Sequence, residues 1–495
     1  MIVLSLLFLT TAITAQHSYA QPGWVMSHQK ISDTEGGFTG TLDNWDYFGI
    51  SVAALGDLDG DGVGDIAVGA NDDDGGLNRG GVWILFLNSN GTVKAHQKIS
   101  DTQGGFTGTL DDWDRFGISI ASLGDLDGDG VTDLAVGASY DDDGGDDRGA
   151  VWVLFLNADS TVKAHQKISD IEGGFTGILD DRDGFGSSVA SLGDLDRDGV
   201  GDLAVGAVYD DDGGANRGAV WILFLNPNGT VKSHQKISST AGGLAGVLDD
   251  DDAFHALASL GDLDGDGVGD LAVGAAWDDD GGTGRGAVWM LFLNTDGTVK
   301  GHQKISDTEG CFGGILDDDD HFGASVASMG DLDGDGVGDL AVGTWGDDDG
   351  GKGQIADHGA VWILLLNTNG TIRYQQKISE TQGGFTGTLD DIDQFGKALA
   401  SPGDLDGDGA PDLAVGAWHD GDGGYQRGAA WVLFLDDTPL CLWDFDEDGS
   451  VGVSDLLPLL ANWGPCECCS ADFDGNGSVG ISDLLALLAN WGPCP

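Results

Sequence analysis

Six near-copies of one nine-residue acidic segment recur along the chain at intervals of 68, 69, 68, 69 and 73 residues. They read DLDGDGVGD from Asp57, DLDGDGVTD from Asp125, DLDRDGVGD from Asp194, DLDGDGVGD from Asp262, DLDGDGVGD from Asp331 and DLDGDGAPD from Asp404. A period of this length is the mark of a repeat architecture, which overrides counting domains from chain length. Each copy sets carboxylates at positions 1, 3, 5 and 9 and a glycine at position 6, where the chain must turn sharply. Four carboxylates within nine residues repel one another unless a divalent ion sits among them, and an all-oxygen cage of this kind suits Ca2+.

The expected ligands are Asp57, Asp59, Asp61 and Asp65; Asp125, Asp127, Asp129 and Asp133; Asp194, Asp196, Asp198 and Asp202; Asp262, Asp264, Asp266 and Asp270; Asp331, Asp333, Asp335 and Asp339; and Asp404, Asp406, Asp408 and Asp412. An acidic solvated turn is the alternative for any one copy, but six copies with every Asp intact favour metal.

Each unit holds four strand-like runs. In the second unit GISIASLG leads into the acidic loop, DLAVGA follows it, GAVWVLFLN is apolar throughout, and TVKAHQKIS alternates like a half-exposed outer strand. Four strands per unit, separated by glycine-rich turns, predict a propeller blade. The last unit stops after its third run at Asp436, while GWVMSHQKIS at residues 23–32 aligns with the fourth run of the others. The N-terminal strand is therefore expected to complete the last blade and remove the open edge of the ring.

The segment Phe116 to Ala138 resembles the FG-GAP repeat of the integrin alpha-chain propeller. Its FG element recurs at Phe48-Gly49, Phe116-Gly117, Phe185-Gly186, Phe322-Gly323 and Phe395-Gly396 and departs at Phe254-His255. The resemblance covers about residues 24–437 and implies calcium in the hairpin between strands 1 and 2. Integrin propellers have seven blades, so six units are a departure.

Other repeated features read as structure. DDDGG elements begin at Asp72, Asp141, Asp210, Asp278 and Asp347, with DGDGG at Asp420; Arg79, Arg148, Arg217, Arg285 and Arg427 follow, with His358 in the fifth unit. Ion pairing between loops is the expected role. His28, His96, His165, His234 and His302 hold one outer-strand position and mark structure too. What differs between units points to recognition: Trp45, Trp113, Arg182, Asp251, Asp319 and Ile392 share one loop position, and Tyr140, Tyr209, Trp277, Trp345 and Trp418 lie near the 2–3 loops, with packing between blades as their alternative fate. In a propeller these loops share the face opposite the acidic hairpins. A protein or glycan ligand is expected on that face. The fifth unit also inserts residues near Lys352 to Asp357.

After residue 437 two different units follow, DFDEDGSVGVSDLLPLLANWGPC from Asp444 and DFDGNGSVGISDLLALLANWGPC from Asp472. They set oxygen side chains at loop positions 1, 3, 5 and 12: Asp444, Asp446, Asp448 and Asp455, then Asp472, Asp474, Asn476 and Asp483. Ser450 and Ser478 offer carbonyls, and a Leu-rich helix follows each loop. This resembles the paired EF-hand-like loops of type I dockerins and implies a cohesin-like partner for the tail. Val453-Ser454 and Ile481-Ser482 stand where well-known dockerins carry hydroxyl pairs. Pro458, early in the first helix, is tolerable only if it lies in the first turn, and the Leu456-Leu457 and Leu484-Leu485 helices are expected to pack together. Symmetric pairing is expected of Cys441, Cys466, Cys469 and Cys494, leaving Cys468 over and Cys311 alone.

Residues 1–20 read as a secretory signal, short, apolar and ending in small residues, with a buried N-terminal strand as the alternative. With 84 acidic against 21 basic residues and a net charge of −63, nucleic acid and anionic membranes are disfavoured as partners, and no segment is long and apolar enough to span a bilayer. The organisation expected is a signal (1–20), a mainly β six-bladed propeller (21–437) and a small α-helical dockerin-like pair (438–495), in a secreted or cell-surface binding protein. No catalytic constellation stands out from the repeats. The rival class is a carbohydrate-active component of a polysaccharide-degrading complex.

Overall fold

The computed structural model describes residues 22–73, 77–349, 357–436, 441, 443–445, 450–466, 468, 471–473 and 477–494. The expected signal segment, most of the fifth-unit insertion and the ligands Asp446, Asp448, Asp474 and Asn476 lie outside them.

Among the described residues, six antiparallel four-stranded sheets form the blades. The first blade runs Val52–Gly56, Asp65–Ala70, Gly81–Leu87 and Val93–Ile99. The last is built from Phe395–Gly403, Asp412–Ala417 and Ala429–Leu435, with Val25–Ile31 as its outer strand. His28 pairs with Leu433 and Ile31 with Ala430, the register in which His96 pairs with Leu85 and Ile99 with Val82 within the first blade. The predicted offset closure is thus met residue for residue.

The apolar third strands follow from burial on both faces. Val82 and Ile84 pack toward the second blade, with Leu134, Val136 and Trp152, whereas Trp83, Leu85 and Leu87 pack toward the last, with Val432 and Phe434. A strand read by two neighbours cannot alternate with polar residues. All six motif phenylalanines, Phe48, Phe116, Phe185, Phe254, Phe322 and Phe395, are fully buried at these seams. Gly49 adopts φ +93°, and a Cβ there would collide with the Ala429 carbonyl oxygen of the neighbouring blade. The outer-strand histidines lie against the same seams: His96 packs on Phe38 and Trp83, with Nε2 3.1 Å from Thr39 Oγ1.

In the tail, α1 (Val453–Ala461) and α2 (Ile481–Ala489) each follow a two-residue strand. Ser450–Val451 pairs with Gly492–Pro493, and Gly464–Pro465 with Ser478–Val479, so each repeat is completed by the other. Leu456, Leu459, Leu484 and Leu487 join one small core, while Leu457 and Leu485 face outward, about 60% exposed. Only half of each expected leucine pair is therefore internal. Pro458 also differs from expectation. It stands at the sixth position of α1, in the second turn, and the helix nevertheless continues to Ala461. The Asp455 carboxylate secures the start of α1, accepting from Gly452 N and Phe445 N.

Two disulfides are placed. Cys441 bonds Cys494, joining the start of one repeat to the end of the other, and Cys466 is also disulfide-bonded. The two cysteines expected to stand alone meet instead: Cys311 and Cys468 form a disulfide with Cα atoms 4.8 Å apart, tying the propeller to the tail. A contact 157 residues apart in sequence leaves no mark in the spacing of the cysteines.

Candidate functional site

The acidic nonapeptides are the turns between the first and second strands of each blade, as predicted. Their side chains shape the loop before any ion enters. Asp57 accepts hydrogen bonds from the backbone N of Gly60, Asp61 and Gly62 at 2.7–3.0 Å, curling the loop around the first carboxylate. Asp65, fully buried, accepts from Leu58 N and Leu87 N, both at 2.9 Å, and so ties the loop to the third strand. Burial pushes its pKa up to about 6.

Oxygen atoms of Asp57, Asp59 and Asp61 lie within 4.8 Å of one another, and those of Asp125, Asp127 and Asp133 and of Asp194, Asp196 and Asp202 do the same. A basic side chain from the outer strand already sits against this cluster. Lys94 Nζ lies 2.8 Å from Asp59 and contacts Asp61, whose carboxyl it holds below the ordinary range. Lys163, Lys232, Lys300 and Arg373 repeat the contact in the next four blades. A cation thus fits where the sequence places one, and the donor set is the hard-oxygen type that suits Ca2+.

The opposite face is organised by ion pairs. Lys98 lies 2.8 Å from the buried Asp73, and Lys167, Lys236, Lys304, Lys377 and Lys30 repeat the pair with Asp141, Asp210, Asp278, Asp347 and Asp420. In the first unit it is thus the second Asp of the DDDGG element that takes the shared position. Arg148 bridges Asp170 and Asp181, clamping a 2–3 loop to the following 4–1 loop. His358 makes the corresponding bridge to Glu380 and Asp391. The repeated acidic loops are therefore structural.

Trp45, Trp113, Arg182, Asp251, Asp319 and Ile392 all have φ between 70° and 80°. Left-handed backbone is costly for such residues, and both tryptophans are half exposed on this face. Much of the second aromatic group packs between blades, as its alternative reading has it: Trp277 and Trp345 both pack on His321, and Trp418 packs on Tyr47. Tyr140, Tyr209, Trp277, Trp345 and Trp418 also line a cavity of about 650 Å³ at the centre of the ring, together with first-strand residues of all six blades.

Lys397 projects into this cavity, a residue that sequence reasoning missed. It follows the FG element, where the other units carry Ile50, Ile118, Ser187, Ala256 and Ala324. Its ammonium lies 5.5 Å from the Trp418 ring centroid and 5.8 Å from that of Trp345. Burial pushes its pKa down to about 8. His255 and His419 are pushed down to about 4 by burial, with the Lys397 charge adding to the effect.

Segments 48–85, 116–154, 185–223, 255–291 and 395–433 match the FG-GAP repeat. The ring is an integrin-like FG-GAP propeller. Integrin alpha-5 of Xenopus laevis is 33% identical over 268 residues, covering 52% of this chain and 22% of that protein. Integrin alpha-PS2 of Drosophila melanogaster is 31% identical over 273 residues, 54% of this chain and 17% of that protein, and human integrin alpha-11 is 35% identical over 208 residues, 40% and 15%. The FG-GAP propeller chain thus spans about a fifth of the length of these relatives. Its fourth unit is matched from His255 onward, so the lost FG glycine does not remove that unit from the pattern. No helix among the described residues is long and apolar enough to cross a membrane.

Proposed function

We propose that this chain is a secreted or cell-surface binding and adhesion protein, in which Ca2+ rigidifies the propeller and the face opposite the cation loops holds the ligand. The observation that carries this reading is the division of labour between the faces. One face repeats the same carboxylate loop six times, whereas the other sets Tyr140, Tyr209, Trp277, Trp345 and Trp418 around one cavity. Likeness to integrin alpha chains supports a recognition role for the ring. Asp147 is the one carboxylate among the described residues lining the cavity, and a glycosidase of the usual kind needs two.

In the same reading the tail is a dockerin-like attachment module, with Ca2+ held by Asp444, Asp446, Asp448 and Asp455 and by Asp472, Asp474, Asn476 and Asp483. Val453, Leu457, Ile481 and Leu485 are 60–69% exposed and give the two repeats similar apolar surfaces, suited to a cohesin-like protein. The test is a glycan and matrix-protein array probed with the calcium-loaded full-length chain, beside a panel of hydrolase substrates. Calcium-dependent retention without turnover is the expected result. Turnover lost on mutating one carboxylate that is not part of the repeats would overturn it.

A further inference from the structure

The cavity at the ring centre holds two polar groups that the fold leaves unmet. Lys397 Nζ has no hydrogen bond or ion pair among the described residues; its neighbours are the faces of Trp345 and Trp418. Asn71, a buried lining residue, has an Oδ1 that accepts no hydrogen bond. Lys397 is partly buried, and the indole faces offset only part of the hydration that an ammonium without a counter-charge gives up there. Carboxylates are not scarce in a chain with 84 acidic residues, and the four outer-strand lysines and one arginine facing the acidic hairpins all found them. A residue that no other unit shares, left unpaired at the mouth of a cavity, has the character of a binding group.

The surroundings specify what would satisfy it. An ammonium calls for an anion, and a carboxylate is the common one of small organic ligands. Indole faces on either side call for an apolar ring face. His255 offers an acceptor for a ligand hydroxyl: its Nδ1 lies 2.6 Å from the Ala253 carbonyl and donates to it, which leaves Nε2 as the acceptor. The volume of about 650 Å³ falls within the range of small-ligand sites, about 300–1,000 Å³. An acidic peptide side chain would pair with Lys397 but leave the indole faces unmet.

We propose that the central cavity of the propeller binds a carboxylated sugar, a uronic acid at the end of a glycan, with its carboxylate on Lys397 and its ring against Trp345 or Trp418. The proposal rests on the reading of this face as the ligand-binding one and names its ligand class.

The test is calorimetric titration of the calcium-loaded full-length chain with galacturonate, glucuronate and mannuronate, beside galactose, acetate, inorganic phosphate and an aspartate-containing peptide. At least one uronate is expected to bind ten times or more tighter than galactose, acetate, phosphate and the peptide. Lys397→Met should reduce it to the level of the neutral sugar, and Trp418→Ala should weaken uronate and galactose alike. Thermal melting of each variant separates lost binding from lost fold, and Lys397→Arg, which keeps the charge, should retain most of the preference. Failure of all three uronates, an unchanged affinity in Lys397→Met, or tighter binding of phosphate or the peptide would overturn the assignment. If the uronates fail while the chain still binds on the array, this site is wrong and the adhesion reading stands.

Discussion

Lys94 places its ammonium 2.8 Å from the Asp59 carboxylate, so the first cation loop is neutralised in part by the outer strand of its own blade. Among the described residues the sixth loop has no such partner. Its outer strand comes from the N-terminus, where Met26, 61% exposed, takes the register position of Lys94. The sixth loop should therefore depend most on bound metal. With excess chelator, amide exchange at residues 404–412 is expected to be the fastest of the six loops, and Met26→Lys should slow it about two- to fivefold, the effect of one exposed ion pair. Equal exchange in all six loops of the wild type would count against this ordering.

Ring closure by Val25–Ile31 makes a second prediction. Ile31 is fully buried, so Ile31→Ala should cost about 2–5 kcal/mol and lower the Tm of the whole propeller, because opening the last blade exposes the seams on both sides. Deleting residues 23–32 should abolish cooperative unfolding and cause aggregation through the bared edge of Ala429–Leu435. A truncated chain that melts like the full-length protein would show that the ring closes in another way.

Buried aspartates on the loop face predict an unusual pH dependence. Burial, assisted by the neighbouring Asp141 charge, pushes Asp114 up to about 7, from 3.8 in the unfolded chain. Between these values the folded state holds the proton that the unfolded state releases, so this contribution to stability falls as pH rises from about 4 to 7 and stays lost above. Asp183, Asp252 and Asp320 behave alike. Asp114→Asn keeps an acceptor for Asp111 N, which lies 2.8 Å from the native carboxylate, without the charge. It should stabilise the protein by about 1–3 kcal/mol at pH 8 and gain little at pH 4, measured by urea unfolding with calcium saturating. A variant less stable than wild type at pH 8 would contradict the shift.

How much was legible depended on repetition. Strand order, the place of the acidic loops between the first and second strands, the closing strand and the structural role of the histidines could all be read because six copies average out accident. Lys397 could not. It differs from its counterparts at one position, and its meaning appears only when the ring brings Trp345 and Trp418, from the loops of two blades, to either side of it. The Cys311–Cys468 bond is hidden for the same reason, since nothing local announces which distant partner a lone cysteine meets. The turn that Pro458 occupies was not legible, because helix starts blur by a residue or two in sequence, and a proline is free in the first turn but not in the second.

The last prediction concerns the stability that Lys397 withholds. His255, His321 and His419 face it, and all three have pKa values lowered by burial, with the Lys397 charge contributing; none supplies a counter-charge. Burial lowers its own pKa from 10.5 to about 8, so between these values the unfolded chain binds the extra proton. This contribution to stability therefore rises with pH from about 8 to 10.5, and below 8 the full penalty is present. Lys397→Met, which removes the charge and keeps the volume, should stabilise the protein at pH 7 by about 1–3 kcal/mol while removing uronate binding, and its advantage should shrink as pH approaches 10. A binding group is expected to be replaceable with gain of stability and loss of function. If Lys397→Met is instead destabilised at pH 7, the lysine serves the fold.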